Sequence, residues 1–305
     1  VSDSSAALRR KIGSAGELRS VVRTMKAVAA ASIAQYEKSV SALADYQRSV
    51  ELGLSACFRQ AGSLATAEHA DGTPDGTPAG AAGPLRGDGI GAIVFGSDQG
   101  LVGQFNDAVA DCAVATLAKL SGVSQVWAVG ERVQARLADA GVATAGVFDV
   151  PASVGAITTL VAQILQRTDV LSSHGGVPEL YLFHNRPTMG AIYTPVSERL
   201  LPLDAAWHAR LMRRRWPTRE LPEVLGTAAM TLHALVGEYL FVSIFRACAE
   251  SLASENASRL AAMQRAEKNI DELLIDMNAS FHRLRQSSID EELFDVVSGF
   301  EALSQ

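Results

Sequence analysis

Cysteine, aromatic residues and metal-ligand patterns are all scarce in this sequence. The three cysteines, Cys57, Cys112 and Cys248, stand far apart, with no CxxC spacing and no histidine cluster beside them. That spacing excludes a disulfide framework or a zinc site and fits buried structural thiols in a reducing compartment. Aromatic residues make up only 6% of the chain although hydrophobic residues reach 48%. Alanine fills much of the difference, which suits closely packed helices better than a β-sandwich. No run approaches the ~18 uninterrupted apolar residues of a membrane span, and the N-terminus lacks the apolar core of a signal peptide. Any work at a membrane is therefore expected from outside the bilayer. A net charge of −6 and a pI near 5.6 do not describe a nucleic-acid binder.

Catalytic patterns are equally thin. There is no GxxxxGK[ST] phosphate loop and no GxSxG nucleophile elbow. The histidines, His69, His174, His184, His208, His233 and His282, are scattered, and none forms an i, i+4 pair. The one glycine-rich loop, GSDQGLVG from Gly96 to Gly103, falls between an expected strand and helix, where anions can bind. Its spacing is not GxGxxG, and turn glycines with Ser97 or Asp98 as caps explain it as well. Arg213, Arg214 and Arg215, beside Trp216, form a basic cluster in a loop. Such a cluster can touch a phosphate or an acidic partner, but most often it is solvated surface. No catalytic residue, cofactor or metal is expected.

What is present is helix at both ends. Residues from about Leu8 to Phe58 contain no proline, and Leu18, Val22, Met25, Ala29, Ser32, Tyr36, Val40, Leu43, Tyr46, Val50, Leu54 and Cys57 recur in steps of three and four. A helix of ~50 residues is roughly 75 Å long, and its stripe needs a cover. The partner lies after Pro222, where Leu252, Leu260, Met263, Ala266, Ile270, Leu273, Met277, Phe281, Leu284, Ile289, Leu293, Val297 and Phe300 form a heptad-like seam. The two ends are expected to close on each other as a long antiparallel coiled coil. The N-terminal end is basic (Arg9, Arg10, Lys11, Arg19, Arg23, Lys26) and the far end acidic (Asp290, Glu291, Glu292, Asp295, Glu301).

The middle alternates strand and helix. Strands are expected at Ile90 to Phe95, Val126 to Gly130, near Val147, at Glu179 to His184 and at Ala191 to Leu201. One helix is expected to run through Leu120, with others at Glu131 to Ala140 and at Val154 to Arg167, a pattern that predicts a mostly parallel, Rossmann-like sheet. The expected organisation is an α/β chain in four parts: residues 1–61 the first coiled-coil helix, 62–89 a flexible linker, 90–221 the inserted α/β domain, and 222–305 the second coiled-coil helix.

Two segments are sharper: Arg23-Thr24-Met25-Lys26 with the alanines after it, and Leu252 through Glu255-Asn256, Ser258-Arg259 and Met263 to Arg285-Gln286 and Gly299. Together with LRRKIGSAGELRSVVRTMKAVAAAS and IVFGSDQGLVGQFN, they resemble the gamma subunit of F-type ATP synthases. The loop differs from that family's usual GSDRGLCGGFN at Gln99, Val102 and Gln104, and the Lys/Arg-rich continuation is lost from Ala31 to Glu37. These departures suggest a divergent bacterial branch, with an alternative N-type ATPase as one host. The resemblance implies a non-catalytic rotor shaft inside a ring of alpha and beta subunits, with the epsilon subunit and the membrane c-ring at its foot. It couples proton or sodium flow to ATP synthesis or hydrolysis. It also implies a peripheral position on the cytoplasmic side of a bacterial inner (plasma) membrane. By position, the hexamer contacts become Arg23, Met25, Lys26, Arg259, Arg285 and Gln286.

Two other classes fit the residues less well. One is a coiled-coil scaffold for another helical partner. The other is a small-ligand protein built on the α/β domain with GSDQG as its loop.

Overall fold

The computed structural model describes residues 2–68, 89–120, 122–172, 179–189, 191–220, 222 and 227–303. In chain order the elements are α1 (Ser2–Glu68), β1 (Ile90–Phe95), α2 (Phe105–Leu117), β2 (Val123–Val129), α3 (Glu131–Asp139), β3 (Gly146–Phe148), α4 (Val154–Ser172), β4 (Glu179–Thr188), β5 (Ala191–Leu201), α5 (Ala205–Met212) and α6 (Ala228–Leu303). Residues 62–68 of the expected linker are helical, whereas 69–88, with His69, lie outside the described residues, as does His174. The chain separates into two compact units, Val1–Ala31 with Arg259–Gln305, and Ser32–Ser258.

The first unit is an antiparallel pair formed by the start of α1 and the end of α6. Val22, Met263 and Ile270 are buried in its seam, with Met25, Ala262, Ala266 and Leu274 packed around them. Arg19 Nε meets Asp271 Oδ1 at 2.7 Å and Arg23 Nε meets Glu267 Oε1 at 2.6 Å. Pairs that step up one helix while stepping down the other fix the antiparallel sense. Several expectations about the covered stripes are corrected, Tyr46 and Leu273 being exposed as well as the positions that follow. Leu18 is exposed while Arg19 turns inward, because an apolar position one residue off the stripe points some 100° away on a helix. At the other end Ile289, Leu293 and Val297 are exposed rather than paired. At the register of the ion pairs Ser2 falls level with Ser288, so no described part of α1 reaches the last turns of α6.

The second unit is a layered α/β structure. Its sheet runs β3-β2-β1-β4-β5, parallel except for the antiparallel pair β4–β5. Strand residues alternate between two cores, as the pleat requires. Ala92 and Val94 pack with Val109, Ala113, Val133 and Leu137 from α2 and α3. Ile93 and Phe95 face the other way, onto Ile157, Val161 and Ile164 of α4 and Tyr36, Ile244, Cys248 and Leu252 of the long helices. This second core explains why part of α6 is long and apolar enough, by length and composition alone, to cross a membrane: much of that stretch is buried against protein.

Helix α5 was not expected. Asp204 caps it, its Oδ1 accepting from the Trp207 backbone N–H at 2.7 Å, and Trp207 is buried with Val50, Leu54 and Leu211. Eight residues give too short a period for a pattern, so the helix is held by this tertiary anchor.

Candidate functional site

The first unit carries a cationic cluster gathered on one carboxylate. Glu267 takes Lys26 Nζ on Oε2 at 2.5 Å and Arg23 on Oε1. The hydrogen bonds from Lys26 and then Arg23 hold the Glu267 carboxyl down at about 2, against a small opposing effect of burial. Arg23 is exposed, and Lys26 and Met25 are half-buried beside it. Arg259, also half-buried, lies toward the other end of this stretch of α6. Arg285 and Gln286 stand exposed on the turns before the uncovered end. Arg23, Met25 and Lys26 are thus brought together, with Glu267 as a member that the sequence pattern did not single out. The others are spread along α6.

In the second unit the first half of the Gly96–Gly103 loop is tied down by hydrogen bonds within the chain. Ser97 N–H donates to Asn106 Oδ1 at 3.0 Å, Asn106 Nδ2 donates to Ser97 Oγ at 2.8 Å, and Ser97 Oγ donates to the Gln99 carbonyl at 2.9 Å. Asp98 accepts from Glu131 N at 3.0 Å and from Val150 N at 2.9 Å, so it caps α3 and ties the chain beyond β3 to the loop. That carboxylate lies at the N-terminus of α3, whereas α2, the helix that follows the loop, has no side-chain cap at Gln104. Gly96 is required: an added Cβ would lie 2.3 Å from Val133 Cβ. Leu101 has φ 63° and is 62% exposed, a left-handed conformation costing roughly 1–2 kcal/mol for a residue with a Cβ.

This loop meets the Ala/Ser-rich face of α6. Ser258 Oγ donates to the Val102 carbonyl at 2.5 Å and Ser254 Oγ to the Asn185 carbonyl at 3.0 Å, while Asn185 Nδ2 reaches the Phe105 carbonyl at 2.9 Å. Serines four apart on one helical face were the available signal. The serines on this face satisfy one carbonyl of the loop and one within β4.

A second polar group joins β4, β5 and α6. Glu250 Oε2 lies 2.9 Å from His184 Nε2 and 2.8 Å from Arg186 Nε, while Arg246 Nη2 reaches Glu198 Oε1 at 3.0 Å. Burial works against the charge on Glu250, but hydrogen bonds from His184 and Arg186 hold its carboxyl at about 2. His184 is fully buried and its Nδ1 has no hydrogen-bond partner, so a proton on Nε2 leaves no unmatched donor. Burial pushes the Cys248 thiol far up, which marks it as inert.

The first unit is thus an antiparallel helix pair with a cationic cluster, and the second a mostly parallel sheet whose glycine loop is tied down by Asp98. A family profile described as ATP synthase matches residues 4–303. The chain belongs to the ATP synthase gamma chain family. Among its relatives, the ATP synthase gamma chain of Leifsonia xyli subsp. xyli is 28% identical over 308 residues, covering 97% of this chain and 96% of the relative. That of Syntrophus aciditrophicus is 37% identical over 134 residues, 42% of this chain and 43% of the relative. Among solved structures, the rotor of Euglena gracilis mitochondrial ATP synthase in rotational state 1 shares the fold, with a TM-score of 0.61 at 13% identity, covering 95% of this chain and 100% of that one. The resemblance read from the terminal helices and the GSDQGLVG loop is borne out. A gamma subunit is a non-catalytic component of ATP synthase, the rotor of its central stalk, within the membrane-associated F1 complex.

Proposed function

We propose that this gamma subunit stands inside a hexamer of alpha and beta subunits and turns with the epsilon subunit and the c-ring. Proton or sodium flow through the membrane ring drives it, and its asymmetry forces the beta sites through different nucleotide affinities. The reverse direction couples ATP hydrolysis (ATP + H2O to ADP and phosphate) to ion pumping. The observation that carries this is the uncovered end of α6. Leu293, Phe294 and Val296 are 61%, 71% and 70% exposed there, and an apolar end of this kind needs a sleeve.

In this arrangement Arg285 and Gln286, just before that end, hydrogen-bond to hexamer loops. Arg23, Met25, Lys26 and Arg259 face the hexamer from lower on the shaft. Glu267 holds Arg23 and Lys26 in position, so a carboxylate lever on a beta subunit competes with it for the same cations. The complex works peripherally on the cytoplasmic face of a bacterial plasma membrane. The four-part division of the chain into two shaft helices, a linker and an inserted domain belongs to the same proposal.

Co-expression with alpha and beta subunits, followed by purification and an ATPase assay, tests this. One copy of the chain recovered with an active hexamer is expected. An active hexamer recovered without the chain favours the scaffold alternative instead.

A further inference from the structure

The first unit carries opposite charges at its end that do not meet. Arg9, Arg10 and Lys11 near the start of α1 are exposed and have no ion pair among the described residues. At the register fixed by Arg19 on Asp271 and Arg23 on Glu267, they stand level with Phe281, Ser280 and Ala279, none of them acidic. Asp290, Glu291, Glu292 and Asp295 are equally exposed and unpaired among the described residues, and they lie where no described part of α1 runs alongside. Residues 289–303 rise about 22 Å past the level of Ser2. At about 100° per residue, Ile289, Leu293, Val296 and Val297 share one face of those turns, with Asp290 and Glu292 on its two edges. All four apolar side chains are exposed. The start of α1 repeats the layout, with Leu8 and Ile12 on one face and Arg9 and Lys11 at its edges.

We infer that in the free chain this tip is covered by the tip of a second copy, the two shafts pointing in opposite directions. The α6 end of each copy then runs beside the α1 start of the other. Acids meet cations twice, once in each direction, as a two-fold contact between identical surfaces requires. Charges on the edges of an apolar seam choose partner and orientation in this way in coiled coils. Two tips laid side by side and pointing the same way would instead set like charges against each other. Four turns per copy make a contact at the small end of specific interfaces, so the dimer is reversible and concentration-dependent. Pairing shields the apolar end from non-specific association until the subunit meets its hexamer. The inference concerns the chain alone and goes beyond the rotor proposal, which gives the same tip to the hexamer in the assembled complex.

The test uses the full chain purified without other subunits, its mass read by sedimentation equilibrium over rising concentration at low and at high salt. The parent is expected to move from 32.2 kDa toward twice that mass, and to return toward the monomer when salt is raised. Two triple variants are compared with it. One carries Arg9→Glu, Arg10→Glu and Lys11→Glu, and the other Asp290→Lys, Glu291→Lys and Glu292→Lys. Each alone should stay monomeric, because like charges then face each other. Mixed in equal amounts they should form the dimer again, since both contacts are once more complementary. Unchanged helix content by circular dichroism is expected for both variants, since the altered groups are exposed. A parent that is monomeric at every concentration, open-ended aggregation insensitive to salt, variants that dimerise as well as the parent, or a mixture that does not pair overturns the inference. Each of those results leaves the rotor proposal standing, which recovery with the alpha and beta subunits decides separately.

Discussion

Lys26 Nζ sits 2.5 Å from Glu267 Oε2, across the antiparallel pair, on the carboxylate that also holds Arg23. The folded Glu267 titrates at about 2, below an unfolded glutamate near 4.3. A depressed folded value gives a stabilisation that is complete above the unfolded pKa and is lost as pH falls toward about 2. Glu267→Gln is therefore expected to lower stability at neutral pH and to be indistinguishable from the parent in strong acid. Denaturant unfolding of both chains at neutral and at low pH checks this. An equal difference at both would show that the pair carries no linked proton.

The same variant separates positioning from contact. If Glu267 only positions Arg23 and Lys26 for a partner carboxylate, Glu267→Gln weakens coupling while Arg23→Gln and Lys26→Gln abolish more of it. Ion pumping measured against ATPase rate in the assembled complex gives the ratio. Coupling untouched by all three changes would remove these cations from the proposed contact.

Met25 is half-buried against Val22, Met263 and Ile270. Met25→Lys brings an ammonium to the rim of that seam, where its stem can still pack and its head can reach water. A stability loss of about 1–2 kcal/mol is expected, typical of a substitution at a partly covered site. The complex should assemble, but ATP hydrolysis should pump poorly. Unchanged pumping and ATPase activity would exclude this position from coupling.

Glu250 illustrates what the sequence could not disclose. Its partners His184 and Arg186 lie on β4, more than sixty residues away, and no local pattern links them. Periodicity reports which face of a helix is covered, so Val22, Ala29, Tyr36, Val50 and Leu54 were legible, and all are buried. It does not report where cover stops. Ile289 and Leu293 continue the same period past the reach of α1, and only the register of Arg19 on Asp271 shows it. Strand alternation gave the sheet its place but not the edge pair β4–β5 its sense. Glycine spacing argued against nucleotide binding at Gly96–Gly103, while the hold of Asp98 on Glu131 and Val150 is tertiary and left no trace in the sequence. Motif resemblance supplied the proposed partner-contact positions, whereas the pairing of Glu267 and the hydrogen bonds of Ser254 and Ser258 needed the structure.

Glu250→Ala is expected to cost about 1–3 kcal/mol, because in a largely buried place His184 loses its acceptor and Arg186 keeps only Glu198. The sign with pH follows the direction found for Glu267. The folded carboxyl lies at about 2, so its contribution is present above roughly 4.3 and fades as acid protonates it. The parent and variant unfolding free energies should converge in acid. Replacement by Gln should cost less, since the amide oxygen still accepts from His184.

Asp98→Ala removes two hydrogen bonds, to Glu131 N and Val150 N, from one side chain. The first is a helix cap, for which about 1 kcal/mol is typical, and the second leaves a half-buried N–H without its acceptor. A combined loss of about 2–3 kcal/mol is expected, read as a shift in denaturant midpoint with an unchanged slope. Asp98→Asn should recover part of it, because one amide oxygen can accept from only one side of the bridge. If Asp98→Ala were neutral, the loop would be held by Ser97 and Asn106 alone.

Deleting residues 289–305 removes the turns of α6 that lie beyond the level of Ser2. Ile289, Phe294 and Val296 are exposed there, so the isolated chain loses little packing, and its stability should change by no more than about 0.5 kcal/mol. Solubility should rise, since an apolar surface is removed. In the complex the outcome should invert. If the end of α6 is sleeved by the hexamer, the shortened chain gains nothing from those turns, and assembly or torque falls although the chain itself is intact. Thermal unfolding of the free chain, set beside ATPase activity of the assembled one, distinguishes the two. A large stability loss in the free chain would mean that these turns find cover within the chain, and the uncovered end would no longer point to a hexamer.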